Sequence, residues 1–365
     1  MIPIAKPLID QREIQAVLNI MEEGNLAQGE QVFEFEKQFA SHFQYSYAAS
    51  LCNGTVALHV ALKAAGVRSG DVVLTTPFSF IATSNAILYC NAIPSFVDID
   101  EDTFNISLES LQEAIKKNPN AKYLLLVHLY GQPCQMTDIM HICNEHGITV
   151  IEDCAQAHGA TYDTKPVGSF GLCGTFSFYP TKNMTTGEGG MITSSNENFI
   201  RYCKKLINHG STTRYVHEIT GFNYRLTNIA AVIGLAQLQK IDGMNSLRKK
   251  NAHYYLENIH NSAVSLPKVD PRADHVYHQF SLKTKYRDEF VKYLTSKKIG
   301  FGIHYPIPIH HQGNIKEYLQ SMGIKSQSCP VAEAVSQQVV SIPVHPALSN
   351  EDVSYICDTI NQFNP

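Results

Sequence analysis

Thr175-Phe-Ser-Phe-Tyr-Pro-Thr-Lys182-Asn-Met-Thr-Thr-Gly-Glu-Gly-Gly190 predicts an apolar strand from Thr175 to Tyr179, cut off at Pro180, then a loop that holds one lysine. The Gly-Gly pair returns the chain into a second strand, Met191 to Ser194. A lysine at the tip of a buried strand is costly to keep charged, because desolvation favours the neutral amine. Bringing its pKa from about 10.4 to a working pH takes roughly 3–4 kcal/mol. Lys182 is therefore either a solvated loop lysine or a Schiff-base nucleophile, and its neighbours must decide between the two.

Working outward, the first such neighbour is Ile148-Thr-Val-Ile-Glu-Asp153-Cys-Ala-Gln156-Ala-His158-Gly159-Ala160. A β-branched run ends in an acidic pair, followed by a glutamine and a histidine. In an α/β protein such a strand delivers its last carboxylate to the carboxyl edge of the sheet, where these folds bind ligands. Further upstream, Ala48-Ala-Ser-Leu-Cys-Asn53-Gly54-Thr55-Val-Ala-Leu-His-Val-Ala-Leu-Lys63 predicts a short strand, a Gly-Thr turn and an amphipathic helix. A helix N-terminus offers free N–H groups and a positive dipole end to an anion. Gly54 and Thr55 are thus either a phosphate cradle or a plain helix start capped by Asn53 or Thr55.

The remaining pattern alternates. Strands are expected at Asp71–Thr76, Ile93–Ile99 and Tyr123–Leu129, with helices at Ser107–Lys117, Met136–His146 and Phe199–Asn208. Continuous apolar strands separated by helices imply a mostly parallel sheet covered on both faces. His128 is read as a strand-end residue with a satisfied side chain. One or two helices precede Phe43, joined by the turn-like Asn25-Leu-Ala-Gln28-Gly29. The run Arg248-Lys-Lys-Asn-Ala-His253 is read as a surface helix marking a change of domain, so residues 1–245 form the large domain and 246–365 a smaller α+β one. In that domain Val276–Lys283 and Phe301–Tyr305 read as strands, Asp288–Lys298 as a helix, and Ser349 as the cap of the last helix.

The 365 residues suffice for a large core. With 17% charged residues and a formal net charge of −4, nothing suggests a nucleic-acid or membrane surface. The nine cysteines are scattered and odd in number, as expected of reduced thiols in a cytoplasmic protein. The first residues lack the layout of a signal peptide, and no apolar run is long enough to span a bilayer.

Glu152-Asp-Cys-Ala-Gln-Ala-His-Gly-Ala160, Ser177-Phe-Tyr-Pro-Thr-Lys182-Asn and Gly187-Glu-Gly-Gly190 together closely resemble the DegT/DnrJ/EryC1/StrS family of sugar aminotransferases, and the resemblance extends along essentially the whole chain. It implies a PLP fold type I (aspartate aminotransferase-like) α/β architecture with pyridoxal 5'-phosphate (PLP) as cofactor. Lys182 then carries the cofactor and shuttles a proton, while Asp153 pairs with the pyridine nitrogen. Opposite charges about 3 Å apart at an effective dielectric of 20 attract by roughly 5 kcal/mol, enough to keep that nitrogen protonated.

The resemblance also implies that Gln156 contacts the ring-hydroxyl side and that Ser177, with Gly54 and Thr55, binds the phosphate. Phe80, rather than Phe78, lies flat on the ring, contributing about 0.5–1.5 kcal/mol beyond burial. His158 orders the Asp153 loop. The residue matching Asn223 reaches the cofactor of the other subunit, which implies a homodimer with composite sites. The acceptor is a nucleotide-linked keto-sugar and the donor glutamate or glutamine. Within Ile303-His304-Tyr-Pro-Ile-Pro-Ile-His310-His311-Gln312, His310 is the preferred sugar contact, with Tyr305 beside it. This stretch resembles relatives acting at C3 of a dTDP- or UDP-linked hexose, with C4 amination as the alternative. Glu188 is either a hairpin surface residue or near the sugar. A sugar dehydratase of this fold would carry histidine at Lys182, and a non-catalytic regulator would be expected to have lost Lys182 or Asp153; neither is lost.

Overall fold

The computed structural model describes residues 1–325 and 327–365. Its centre is a seven-stranded sheet. In chain order the strands are β1 (Tyr47–Leu51), β2 (Val72–Thr75), β3 (Ile93–Phe96), β4 (Tyr123–Val127), β5 (Thr149–Asp153), β6 (Cys173–Ser177) and β7 (Gly190–Ser194). They lie side by side as β1-β7-β6-β5-β4-β2-β3. Only β7 runs against the others, pairing antiparallel with β6 and β1, while β6-β5-β4-β2-β3 are parallel throughout. This is the mostly parallel mixed sheet the apolar runs predict.

Both faces are covered, which is why the strands read as continuous apolar runs rather than alternating ones. Helices α3 (Gly54–Ala64), α4 (Ala82–Tyr89) and α7 (Glu197–Ile207) bury one face on Val73, Leu125, Ile151 and Ile192. Helices α5 (Leu108–Lys117) and α6 (Met136–Glu145) cover Leu74, Leu124, Leu126 and Val150 on the other. Farther along that face, α2 (Glu30–His42) and α8 (Asn228–Leu238) enclose Phe176 and Met191, with α1 (Gln11–Glu23) lying outside against α8.

The C-terminal part is built on a two-stranded antiparallel sheet, β8 (Phe280–Lys283) and β9 (Val339–Ile342), between α9 (Ile241–Asn258), α10 (Arg287–Ser296) and α13 (Asn350–Asn361). Ser349 caps α13 through a capping box with Asp352. Helix α9 runs unbroken past residue 245, placing Met244 in the large core and Tyr255 in the small one. Arg248, expected at the surface, is buried on its inner stripe.

The strand expected from Phe301 to Tyr305 is reduced to one bridge, Gly302 with Ser341. Pro306 and Pro308 follow it and have no N–H to continue a ladder. The chain instead crosses to the large core, where the Ile309 N–H donates to the Pro77 carbonyl at 2.7 Å. Helices α11 (Gly313–Ser321) and α12 (Pro330–Ser336) then pack beside Phe78, Phe96 and Val127. Among the described residues no helix is long and apolar enough to cross a membrane.

Candidate active site

The carboxyl ends of β4, β5 and β6, the start of α3 and the turn into α4 surround a cavity of about 810 Å³, closed on its far side by His278, Gln279, His304 and Tyr305. Lys182 and Asp153 both line it, although three strands, Thr161–Tyr162, Lys165–Pro166 and β6, lie between them in the chain.

The acidic pair that ends β5 is divided by the pleat. Glu152 falls on the same side as Val150, away from the cavity, and is fully buried. Its carboxylate accepts the backbone N–H groups of Gly168 (2.6 Å), Phe170 (2.8 Å) and Gly171 (2.8 Å), together with His128 Nε2 at 3.1 Å. His128 Nδ1 accepts the Cys134 N–H, so its proton sits on Nε2 and donates to Glu152. His128 is thus the satisfied strand-end residue its position suggested.

Asp153, one residue on, faces the cavity. Thr83 Oγ1 donates to Oδ2 at 3.0 Å and the Ala155 N–H to Oδ1 at 3.1 Å. Burial pushes this carboxyl above its usual range, while the Ala155 N–H, the Lys182 charge and Thr83 pull it back. Lys182 opens onto the cavity but lies deep in the protein. Burial lowers its amine to about 8, with Asp153 opposing the shift. Three histidines nearby are likewise kept neutral by burial and the Lys182 charge: His304 at about 4, His158 at about 3, and His278 well below its ordinary value. His278 is supported from behind by Arg248, whose Nη1 donates to the carbonyls of Tyr277 and His278.

At the start of α3, Asn53 Oδ1 caps the Val56 N–H at 3.0 Å. The cap leaves the N–H groups of Gly54 and Thr55 without helical partners. A Cβ at Gly54 would lie 2.6 Å from the Ser177 Cβ, so only glycine lets the end of β6 approach this helix so closely. A Cβ at Gly190 would strike the Asn53 carbonyl, which presses β7 onto the same turn. The cap is therefore formed, and Gly54, Thr55 and Ser177 share one corner of the cavity.

Phe80 lines the cavity and is 55% exposed, whereas Phe78 is buried in the core. Gln156 holds the far wall together, its Oε1 accepting the Tyr130 N–H at 2.7 Å and its Nε2 donating to the Tyr305 hydroxyl at 3.2 Å. Glu188 sits exposed at the rim. The His158 ring is enclosed by Phe176 and Phe178.

Two expected residues stand outside the cavity. His310 is buried against Phe96 and bonds Glu333 at 3.0 Å, because the prolines turn its segment into the core instead of along the cavity wall. Asn223 is exposed beside Asn208 and belongs to no wall of the cavity. Thr83, His278 and His304 were not singled out from the sequence. For Thr83 a signal existed, since Ser79 lies four residues earlier and the two hydroxyls meet at 3.1 Å.

The model of the DegT/DnrJ/EryC1/StrS aminotransferase family matches residues 7–361. A GDP-perosamine synthase of Escherichia coli O157:H7 is 37% identical, covering 99% of this chain and 98% of its own. A dTDP-3-amino-3,6-dideoxy-alpha-D-galactopyranose transaminase of Aneurinibacillus thermoaerophilus is 38% identical over 97% and 96% of the two chains. Among solved structures, the PLP form of the Streptococcus pneumoniae protein Spr1654 superposes with a TM-score of 0.92 at 25% identity, over 99% of this chain and 97% of that one.

Proposed function

The chain belongs to the DegT/DnrJ/EryC1/StrS aminotransferase family, and on that premise we propose that it transfers the amino group of glutamate or glutamine to the keto carbon of a nucleotide-linked deoxyhexose. The observation that carries this reading is the convergence of the Lys182 amine and the Asp153 carboxylate on one cavity, with a helix N-terminus at its corner.

These residues fit PLP by their chemistry. Gly54, Thr55 and Ser177 offer a cradle, cleared of side chain at Gly54, for its phosphate. Phe80 offers an exposed ring face, and Asp153 is a buried carboxylate already aimed by Thr83 and Ala155. Bound there, the cofactor would supply an electron sink for removing a proton next to the transferred nitrogen. The chain's own part is acid–base work and positioning. With its pKa near 8, the Lys182 amine keeps a usable neutral fraction at neutral pH and can take up and return a proton at Nζ. Asp153 holds negative charge where water cannot screen it, so an opposing ring cation would be favoured. His278, His304 and the Tyr305 hydroxyl are neutral groups on the opposite wall, suited to hydrogen-bonding a sugar.

No arginine lines the cavity among the described residues. The carboxylate of the donor and the diphosphate of the acceptor therefore need cations from elsewhere. A second subunit is the natural source of such cations, and in a composite homodimeric site Asn223, exposed on this chain, would reach the cofactor phosphate of the other subunit. The dTDP-3-amino-sugar relative favours a dTDP- or UDP-linked 3-keto acceptor, with a 4-keto sugar as the second reading. The test is incubation with glutamate and a panel of 3-keto and 4-keto sugars on dTDP, UDP and GDP, followed by mass spectrometry. An amino-sugar product from one panel member is expected. A protein that stays colourless in excess PLP and aminates none of them would overturn the proposal.

A further inference from the structure

Among the described residues, two clusters of metal-ligating side chains occur outside the Lys182–Asp153 pair, and their surroundings separate them. His128, Glu152 and Cys154 are wholly buried, and the facing nitrogens and oxygens already hold hydrogen bonds to the protein. A cation there would have to displace several at once. His310, His311 and Glu333 are arranged differently. His310 Nε2 lies 3.0 Å and His311 Nε2 3.6 Å from the same oxygen, Glu333 Oε1. A tetrahedral ion bound at about 2.0–2.2 Å requires ligand-to-ligand edges of about 3.3–3.6 Å, so the His311 contact already has that spacing and a small side-chain movement would bring the His310 contact to it. The side chains of His311 and Glu333 are 38% and 34% exposed, which leaves an entry path and an open fourth position.

We propose that His310, His311 and Glu333 bind a divalent transition-metal ion of the zinc class at a site separate from the catalytic cavity. Consecutive histidines in an extended chain point to opposite sides. Here a 3-10 turn, Ile309–His311, brings their ring centroids within 4.2 Å. Pro306 and Pro308 stiffen the approach to that turn, which limits the entropy lost on binding. The Cys329 N–H donates to Glu333 Oε1 at 3.1 Å, orienting the carboxylate from behind. An ion held here would fasten α12 to the segment that hydrogen-bonds Pro77, three residues before Phe80 on the cavity wall.

The test is calorimetric titration of the chelator-treated holoenzyme with ZnCl2 in buffer free of amino acids. One equivalent per chain is expected. His311→Ala and Glu333→Gln should each weaken binding at least about tenfold. His141→Ala, at the exposed His141–Glu145 pair, should leave the equivalent in place. Circular dichroism of the His311→Ala variant in chelator checks that it is folded. No zinc uptake by the wild-type protein, or unchanged affinity in folded His311→Ala, would overturn the site.

Discussion

The cavity has two walls of different origin. One is made by strand ends, a helix start and the loop after β6, and it holds Lys182 and Asp153 with the Gly54–Ser177 corner. The other arrives from the last third of the chain and offers neutral groups: His278, His304, Tyr305. The first wall is fixed by backbone ladders, because Asp153 ends a strand paired on both sides. The second depends on side-chain props, such as Arg248 behind His278 and Ser341 Oγ at 2.9 Å from His304 Nδ1. Asp153 and Ser177 sit on the sheet and Lys182 in the loop directly after β6, whereas the groups that could vary with a ligand sit on the part held by side chains.

Substitutions can break or sharpen this division. Lys182→Ala should have the largest effect, lowering turnover on the order of 10⁴-fold or more and removing visible cofactor absorbance, as read by product formation and spectroscopy. Asp153→Asn should keep the Ala155 N–H bond on its amide oxygen, turn the Thr83 contact round so that its NH2 donates to Thr83 Oγ1, and retain cofactor. It should nonetheless lose about a thousandfold in kcat, roughly 4 kcal/mol of barrier. Gly54→Ala, forced against Ser177, should weaken PLP binding by about ten- to a hundredfold in equilibrium dialysis, about 1.4–2.7 kcal/mol. Tyr305→Phe, on the second wall, should raise KM for the keto-sugar only about threefold, about 0.7 kcal/mol. If it costs as much as Asp153→Asn, the division between the walls is wrong.

The smallest effect expected is a shift along the pH axis. Only the neutral Lys182 amine can capture cofactor, so the capture rate of the apoprotein should climb as pH rises through about 8 and then level off. Burial lowers this pKa and the Asp153 charge raises it. Asp153→Asn should therefore move the midpoint to lower pH. Stopped-flow absorbance measures it, and a shift to higher pH would contradict the electrostatic coupling.

The first wall was legible in the sequence because its signals are local: a β-branched run ending in Glu-Asp, a Gly-Thr helix start, a lysine between a proline and a Gly-Gly return. Each lies within a few residues of the element that positions it. Of the second wall only Tyr305 was named from the sequence, since His278 and His304 acquire meaning only when distant segments fold onto the sheet. His310 illustrates the cost of reading composition without direction, for its proline-flanked turn looks outward in the sequence and runs inward in the structure. Arg248 was misplaced for a correctable reason. Ile241, Met244, Asn245, Arg248, Asn251, Ala252 and Tyr255 form one helical stripe, all buried. Helical phase would have outvoted the charge of the Arg-Lys-Lys run.

The four-point grip on Glu152 has a consequence for how this family member tolerates change. If β5 slid by a single residue, its two acids would trade places, and the gripped one would be thrust toward the cavity while Asp153 was driven into the opposite layer. Fastening Glu152 to Gly168, Phe170, Gly171 and His128 acts as a ratchet against that slip. Alignment of Asp153 with the cavity is thereby guarded by its immediate predecessor in the chain, a residue that lines no part of that cavity.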